Sequence, residues 1–376
     1  MEKLNSEEIR RYQRHLVLPQ VGQEGQEKLK SCSVLVVGAG GLGAPALQYL
    51  AAAGIGKIGI YDPDQVDESN LQRQVLFSVD DLGRPKAQIA CEKLRRMNPH
   101  IQIEYSNQAI RADGAIEILS KYDFVLDCTD NFPTRYVLND ACVLGGIPLV
   151  SAAIFRFEGQ FSVYATREGA CYRCLYPTPP PPGMVPDCAS GGVLGVLPGV
   201  LGTLQAAEVI KMAVGIGRPA VNRLILYDAL RTSFREMNIK KNPSCEICSS
   251  DPKIQEVREI EWSCEMGPGD EVQEMSVEEL KEYRDQNHSF VLLDVREPHE
   301  LQIARLDPVV EIPLGQLEAR LEELDTQAEI VVLCRSGKRS ATACEILMSK
   351  GFGKVWNLAG GILEYSARID PSLQRY

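Results

Sequence analysis

Short apolar runs, each ending in glycines or polar residues, set the rhythm of this chain. Positions 34–37 read Val-Leu-Val-Val, apolar on both faces as in a central parallel strand. The run breaks into Gly38-Ala39-Gly40-Gly41-Leu42-Gly43 and then into a helix expected from Ala44. Strand-like runs recur at 57–61, 101–105 and 124–126, with helical stretches expected over 87–97 and near 114–121. Strands alternating with helices predict a Rossmann-like, doubly wound α/β sheet. Strands over 149–155 and 159–165 open a β-richer half. Residues 6–30 predict a polar-biased helix opening on a Ser6 cap. The uncharged stretch 189–204 is broken by glycines and Pro198 and is shorter than the about 20 residues a membrane span needs. It predicts a loop entering a buried or interfacial helix, and no membrane association is expected.

After residue 250 the pattern changes. Residues 251–274 are acidic, aperiodic and contain Gly267-Pro268-Gly269, which predicts an interdomain linker with a coil span of about 25–30 Å. From 275 a second, small α/β pattern follows. Helices are expected at 276–286 and 341–350, strands at 290–293, 309–312, 329–333 and 354–358, and a last helix after Gly360-Gly361. The expected domains are therefore 1–250 and 275–376, joined by 251–274.

Composition narrows the function. A length of 376 residues favours two domains. A net charge of −11, with no offsetting basic run, argues against a nucleic-acid surface. Twelve cysteines without a recognisable secretory signal point to a reduced, cytoplasmic setting.

The candidate chemistry falls into three groups. The G-x-G-x-x-G turn brings backbone close to a phosphate, and Asp62 at the next strand end is placed for ribose hydroxyls. Arg73 and Lys86 add two cations that a triphosphate needs and a nicotinamide does not. Asp130, beyond the strand 124–126, reads either as a Mg²⁺ ligand or as a helix cap. Arg14 reads as part of a solvated basic face with Arg10 and Arg11. The pairs Cys171/Cys174 and Cys245/Cys248 have the spacing of two zinc knuckles. Cys188 ends a proline-rich stretch and is either an incidental thiol or a loop nucleophile. Cys334 ends an apolar strand and heads Arg335-Ser336-Gly337-Lys338-Arg339-Ser340, where positive charge and a helix N-terminus stabilise an anionic sulfur.

These motifs carry a resemblance across nearly the whole chain. Residues 1–248 resemble the MoeB/ThiF group of ubiquitin-activating-type adenylyltransferases through RYQRHLVLPQVGQEGQ, GAGGLG, SNLQRQ, GRPK, DCTDNF, PPGMVPDC and both C-x-x-C pairs. Residues 275–376 resemble a rhodanese domain through DVRE and CRSGKRS, although 304–309 lacks that family's Gly-His-Ile stretch. The resemblance implies a MoeB–rhodanese fusion serving molybdenum cofactor, thiamine or tRNA thiolation. It implies ATP held by Gly38, Gly40, Gly41, Gly43, Asp62, Ser69, Asn70, Leu71, Gln72, Arg73 and Lys86, with Mg²⁺ at Asp130 beside Asn131. It also implies Zn²⁺ on Cys171, Cys174, Cys245 and Cys248, a homodimer in which Arg14 reaches the partner's site, a carrier adduct at Cys188 and a persulfide on Cys334. The implied partners are a MoaD- or ThiS-like sulfur carrier ending in Gly-Gly and a donor such as a cysteine desulfurase. A ubiquitin-like-protein activating enzyme working through a Cys188 thioester is the alternative.

Overall fold

The computed structural model describes residues 3–180, 192–260 and 272–376. The chain divides into two compact units, 1–262 and 263–376.

In the first unit the expected strands form β1 (Ser33–Val37), β2 (Lys57–Tyr61), β3 (Gln102–Ser106), β4 (Phe124–Asp127), β5 (Leu149–Phe155) and β6 (Glu158–Tyr164), and two strands not read from the sequence follow, β7 (Arg223–Asp228) and β8 (Ser233–Asn238). They join in the order β3-β2-β1-β4-β5-β6-β7-β8. The first five run parallel and the last three extend the sheet antiparallel. β1 pairs with β2 and β4 in register, Val36 opposite both Ile60 and Leu126. The chain reverses its winding between β1 and β4, and such a switch point opens a crevice at the strands' C-terminal ends.

Helices close both faces. The helix Gly43–Ala53 buries Ala44, Leu47, Leu50 and Ala51, and Lys86–Met97 buries Ile89, Ala90 and Leu94, in one core with Val34, Val36, Ile58 and Ile60. The other face packs Val37, Val125 and Leu149 against Tyr136, Leu138 and Ala141 of the helix Phe132–Gly145.

The N-terminal segment differs from the reading above, and the loop expected to enter a buried helix does so. The stretch expected as one helix is three, Ser6–Arg11, Gln13–Leu16 and Gly22–Ser31, and the first is capped by Asn5 rather than Ser6. Asn5 accepts from the Glu7 and Glu8 N–H groups while Glu8 takes the Asn5 N–H, a reciprocal box that a serine one residue later would break. The glycine-interrupted stretch continues into an unbroken helix, Val196–Val214, long and apolar enough to cross a membrane by composition. Its buried face carries Gln205 and Glu208, both hydrogen-bonded inside the unit, as in a core helix. Gly202 is required there, since a Cβ would lie 2.1 Å from the Leu42 carbonyl.

The residues expected as linker are packed over their first part. Val257 and Ile260 join the second core, Glu259 accepts the Ala112 N–H at 2.7 Å, and Ile254 lies against the cysteine pairs.

The second unit is a parallel sheet in the order β11-β10-β12-β13-β9. Its strands are β9 (Gln273–Met275), β10 (Val291–Asp294), β11 (Val310–Glu311), β12 (Ile330–Leu333) and β13 (Val355–Leu358). Helices Val277–Asp285, Lys338–Ser349 and Gly361–Arg368 cover it. The cores on its two faces are separate, one around Leu293, Val332 and Leu347 and one around Leu292, Leu333 and Ile362.

Candidate functional site

The glycine turn sits at the C-terminal end of β1 because its backbone can be nothing else. Gly38 has φ +93°, and a Cβ on Gly43 would lie 1.9 Å from the Gly38 carbonyl. The turn then enters the helix Gly43–Ala53, where the Ala44 N–H returns to the Gly40 carbonyl at 2.8 Å. At the end of β2, Asp62 is buried and accepts the Ala39 N–H at 2.7 Å and the Asp64 N–H at 2.8 Å. Burial pushes its carboxyl up, and these two N–H groups oppose the shift. Strand β2 and the turn are thereby locked together.

The polar segment after β2 lies against the same turn. Asp67 caps the short helix Glu68–Asn70 by accepting from the Ser69 N–H and hydroxyl, and the Arg73 and Gln74 N–H groups return to the Asn70 carbonyl. Leu71 anchors the segment in the core, and the Gln72 carbonyl abuts Gly195. A Cβ on Gly41 would stand 3.6 Å from the Arg73 side chain, and one on Gly40 3.5 Å from the Gln74 amide. Arg73 donates to the Ser69 carbonyl at 2.9 Å. Lys86, first residue of its helix, is only 6% exposed and pairs at 2.9 Å with Asp64, which is 66% exposed. A buried ammonium on a solvated carboxylate can exchange that partner for a phosphate at little cost, because the released Asp64 stays in water.

The end of β4 completes the crevice. Asn131, not Asp130, caps the helix Phe132–Gly145, accepting the Thr134 N–H at 2.9 Å. Asp130 is thus released from capping and left exposed. Its backbone is fixed by a network that no local pattern discloses. Buried Asp127 accepts from the Thr129 hydroxyl at 2.6 Å and the Ser151 hydroxyl at 2.6 Å, and pairs with the buried Arg135 at 3.1 Å. Arg135 also donates to the Thr129 and Ala152 carbonyls, and Gln205 donates to the Asp127 carbonyl. Breaking such a buried pair costs about 3–5 kcal/mol, so the strand end is held rigidly.

The structure therefore brings together the glycine turn, Asp62, residues 69–73, Lys86 and the Asp130-Asn131 strand end around one crevice. Arg14 is exposed on Gln13–Leu16, with no hydrogen bond or ion pair to the turn among the described residues. Cys188 lies outside the described residues. Asp64, Gln74, Asp127 and Arg135 are the residues that the sequence reading did not single out. Only Asp127, apolar-flanked at a strand end, carried a signal.

The two C-x-x-C pairs meet. Cys171 Sγ lies 3.8 Å from Cys174 and 3.6 Å from Cys245, Cys174 lies 3.3 Å from Cys248, and all four sulfurs fall within 4.8 Å of one another. A tetrahedral zinc ion with Zn–S near 2.3 Å requires edges of about 3.8 Å, so the set fits. The hydrogen bond from Cys171 pulls Cys174 down to about 4, and the Asn242 N–H supports that thiolate. The first knuckle is braced by Arg173, which donates twice to Asp140 at 2.8 Å, and by Asn139, which accepts the Tyr172 N–H.

In the second unit Cys334 follows β12 directly and is 1% exposed. Ser340 donates to its sulfur at 3.2 Å. Gly337, at φ +88°, turns the loop into the helix Lys338–Ser349. Gly361 supports the loop from behind, since a Cβ there would lie 2.4 Å from the Cys334 carbonyl. Two of the three loop cations are engaged. Arg339 makes two 2.7 Å bonds to Glu300, and Arg335 donates to the Tyr376 backbone oxygen at 2.6 Å. Burial opposes ionisation of Glu300, yet the Arg339 bonds hold its carboxyl below the usual range. Lys338 is exposed. The Asp294-Val295-Arg296 run is buried framework, with Arg296 paired to Asp294 at 2.6 Å.

Comparison with known proteins agrees with both halves. Residues 12–247 match the ThiF family, and residues 276–368 match the rhodanese-like domain. A probable adenylyltransferase/sulfurtransferase MoeZ of Mycobacterium tuberculosis is 43% identical, covering 99% of this chain and 96% of that protein. The sulfur carrier protein adenylyltransferase of Thermus thermophilus is 51% identical over 69% of this chain and 97% of its own length. The crystal structure of Escherichia coli MccB with ATP superposes with a TM-score of 0.56 at 26% identity, covering 65% of this chain and 75% of that one.

Proposed function

Because the chain belongs to the ThiF family and carries a rhodanese-like domain as well, we propose that it activates the C-terminal glycine of a small β-grasp sulfur carrier with ATP. It then converts that carboxyl to a thiocarboxylate. The observation that carries the reading is the pairing of a cation-lined glycine crevice on one unit with a basic cysteine loop on the other.

The carrier carboxylate attacks the α-phosphorus of ATP, the bond to the bridging oxygen breaks, and pyrophosphate leaves. A carboxylate is already a nucleophile at neutral pH, so no general base is required. The glycine-turn N–H groups, Arg73 and Lys86 offset the charge that develops on the phosphate oxygens. Asp62 is placed for the ribose. Asp130, freed from capping, would hold the Mg²⁺ that accompanies ATP and neutralises phosphate charge, with Asn131 fixing the backbone beside it. Arg14 would act from a partner subunit in a homodimer.

In the second step a persulfide on Cys334, loaded by a donor such as a cysteine desulfurase, attacks the acyl carbonyl and AMP leaves. The product is an acyl disulfide. A thiol, Cys188 or an external one, then cleaves its S–S bond, which releases the thiocarboxylate and leaves Cys334 disulfide-bonded to that thiol. The four cysteines Cys171, Cys174, Cys245 and Cys248 would hold a structural Zn²⁺.

ATP–pyrophosphate exchange tests the first step. Exchange should appear only with a carrier ending in Gly-Gly and vanish when that tail is removed. Exchange indifferent to the tail would dismiss a carrier substrate. For the metal, one zinc per chain is expected by elemental analysis. Cys245→Ser should abolish it and lower the melting temperature of the first unit, because ligand binding is folding free energy there. Parent protein that holds no zinc, or that melts at the same temperature before and after chelation, would remove the metal from the scheme.

A further inference from the structure

Tyr376 makes several polar and ring contacts around the Cys334 loop. Its hydroxyl accepts from Arg296 at 2.5 Å and donates to Glu300 at 3.3 Å, the residue that grips Arg339. Its backbone oxygen accepts from Arg335 at 2.6 Å. Its ring lies against both guanidiniums, 5.9 Å from Arg296 and 5.6 Å from Arg335. Leu373 and Tyr376 pack on the core of Leu333, Leu358 and Ile362, so the segment is seated rather than trailing.

The chemical consequence falls on Arg335. It follows Cys334 directly, and a free guanidinium there would be the natural grip for a small anionic sulfur donor. In the structure the Arg335 Nε–H is held by the Tyr376 backbone oxygen, the ring lies against the guanidinium, and Cys334 is almost wholly buried. We propose that Tyr376 is a specificity-determining residue of the sulfur loop: seated between Arg296 and Arg335, it closes Cys334 to small sulfane anions. Sulfur must then arrive from a donor large enough to displace the segment.

The small-donor reaction so excluded is transfer from thiosulfate. The Cys334 thiolate would attack the outer sulfur, the S–S bond of thiosulfate would break, and sulfite would leave with the electron pair, giving a persulfide anion. The inference rests on Cys334 as the sulfur-carrying residue, so its test has one arm independent of that assignment.

In the full-length protein, alkylation of Cys334 by iodoacetamide is followed by peptide mass spectrometry. Persulfide formation from thiosulfate is followed in parallel. Tyr376→Ala should speed alkylation by at least about tenfold, since reactivity at equal charge follows access. Tyr376→Phe, which keeps the ring and the backbone oxygen, should stay close to the parent. Arg335→Gln separates access from electrostatics. Losing the cation alone slows a thiolate, whereas releasing the segment speeds its reaction with a neutral reagent. Faster alkylation in Arg335→Gln supports the closure even should Tyr376→Ala unfold. Unchanged alkylation in a folded Tyr376→Ala, or slower alkylation in Arg335→Gln, overturns it. Faster alkylation with no sulfur on Cys334 from any donor would keep the closure and sink the role assigned to Cys334.

Discussion

Cys334→Ala is expected to exchange ATP and pyrophosphate at the parent rate while forming no thiocarboxylate on the carrier. The two activities separate because each half folds around its own core. The substitution removes one sulfur at the end of β12 without touching the glycine crevice. The loss in sulfur transfer should be at least about 10³-fold, as when any covalent nucleophile is deleted. No other described thiol of the second unit can take over. Cys344 is fully buried in the helix Lys338–Ser349, and burial pushes its thiol far up. Mass spectrometry of the carrier after incubation with ATP and a sulfur donor reads the result directly. Thiocarboxylate formed at the parent rate by Cys334→Ala would take this cysteine out of the sulfur path.

Arg73→Ala and Lys86→Ala should each lower the maximal exchange rate by about 10²–10³-fold, the usual cost of removing one preorganised group from developing charge. Their melting temperatures should stay close to the parent. Arg73 is bonded in the fold to a single carbonyl, and the partner that Lys86 leaves behind, Asp64, is solvated. The effect should fall on the maximal rate more than on the ATP concentration for half-saturation, because both cations face charge that grows toward the transition state. The double variant should lose less than the product of the two factors, as groups acting on one phosphate chain do. Full exchange in either variant would mean that the crevice binds ATP without these cations taking part.

What could be read from the chain in one dimension follows from constraints that are themselves local. The Gly38–Gly43 turn is legible because only glycine tolerates a φ of +93° at one end and a backbone 1.9 Å from a Cβ position at the other. The apolar strands 34–37 and 330–333 are legible because both their faces are buried. The two C-x-x-C pairs were each visible as knuckles. With 74 positions between Cys171 and Cys245, spacing alone left one shared site open; the family resemblance implied it, and the fold brings the four sulfurs together.

Where competing local preferences were balanced, only packing could decide. Asp130 and Asn131 both favour a helix cap. The Asp127–Arg135–Ser151 network fixes the backbone so that Asn131 caps and Asp130 is left exposed. Glycines that read as breaks in 189–204 sit partly within a continuous helix, because Gly202 lets it cross the Leu42 backbone. Residues 251–260 lack periodicity, yet they are held to the first unit by Val257, Glu259 and Ile260.

The amino-acid order by itself thus determined the glycine turn, the apolar strands around it and the cysteine at the end of β12 that heads a basic loop, because each is dictated by a residue's own backbone freedom or by its immediate neighbours. The tertiary structure alone decided which of two adjacent residues caps the helix Phe132–Gly145, which partner holds Lys86, and that Tyr376 lies against Arg335. Those outcomes depend on groups far apart in the chain, whose meeting is set by how the helices and sheets pack.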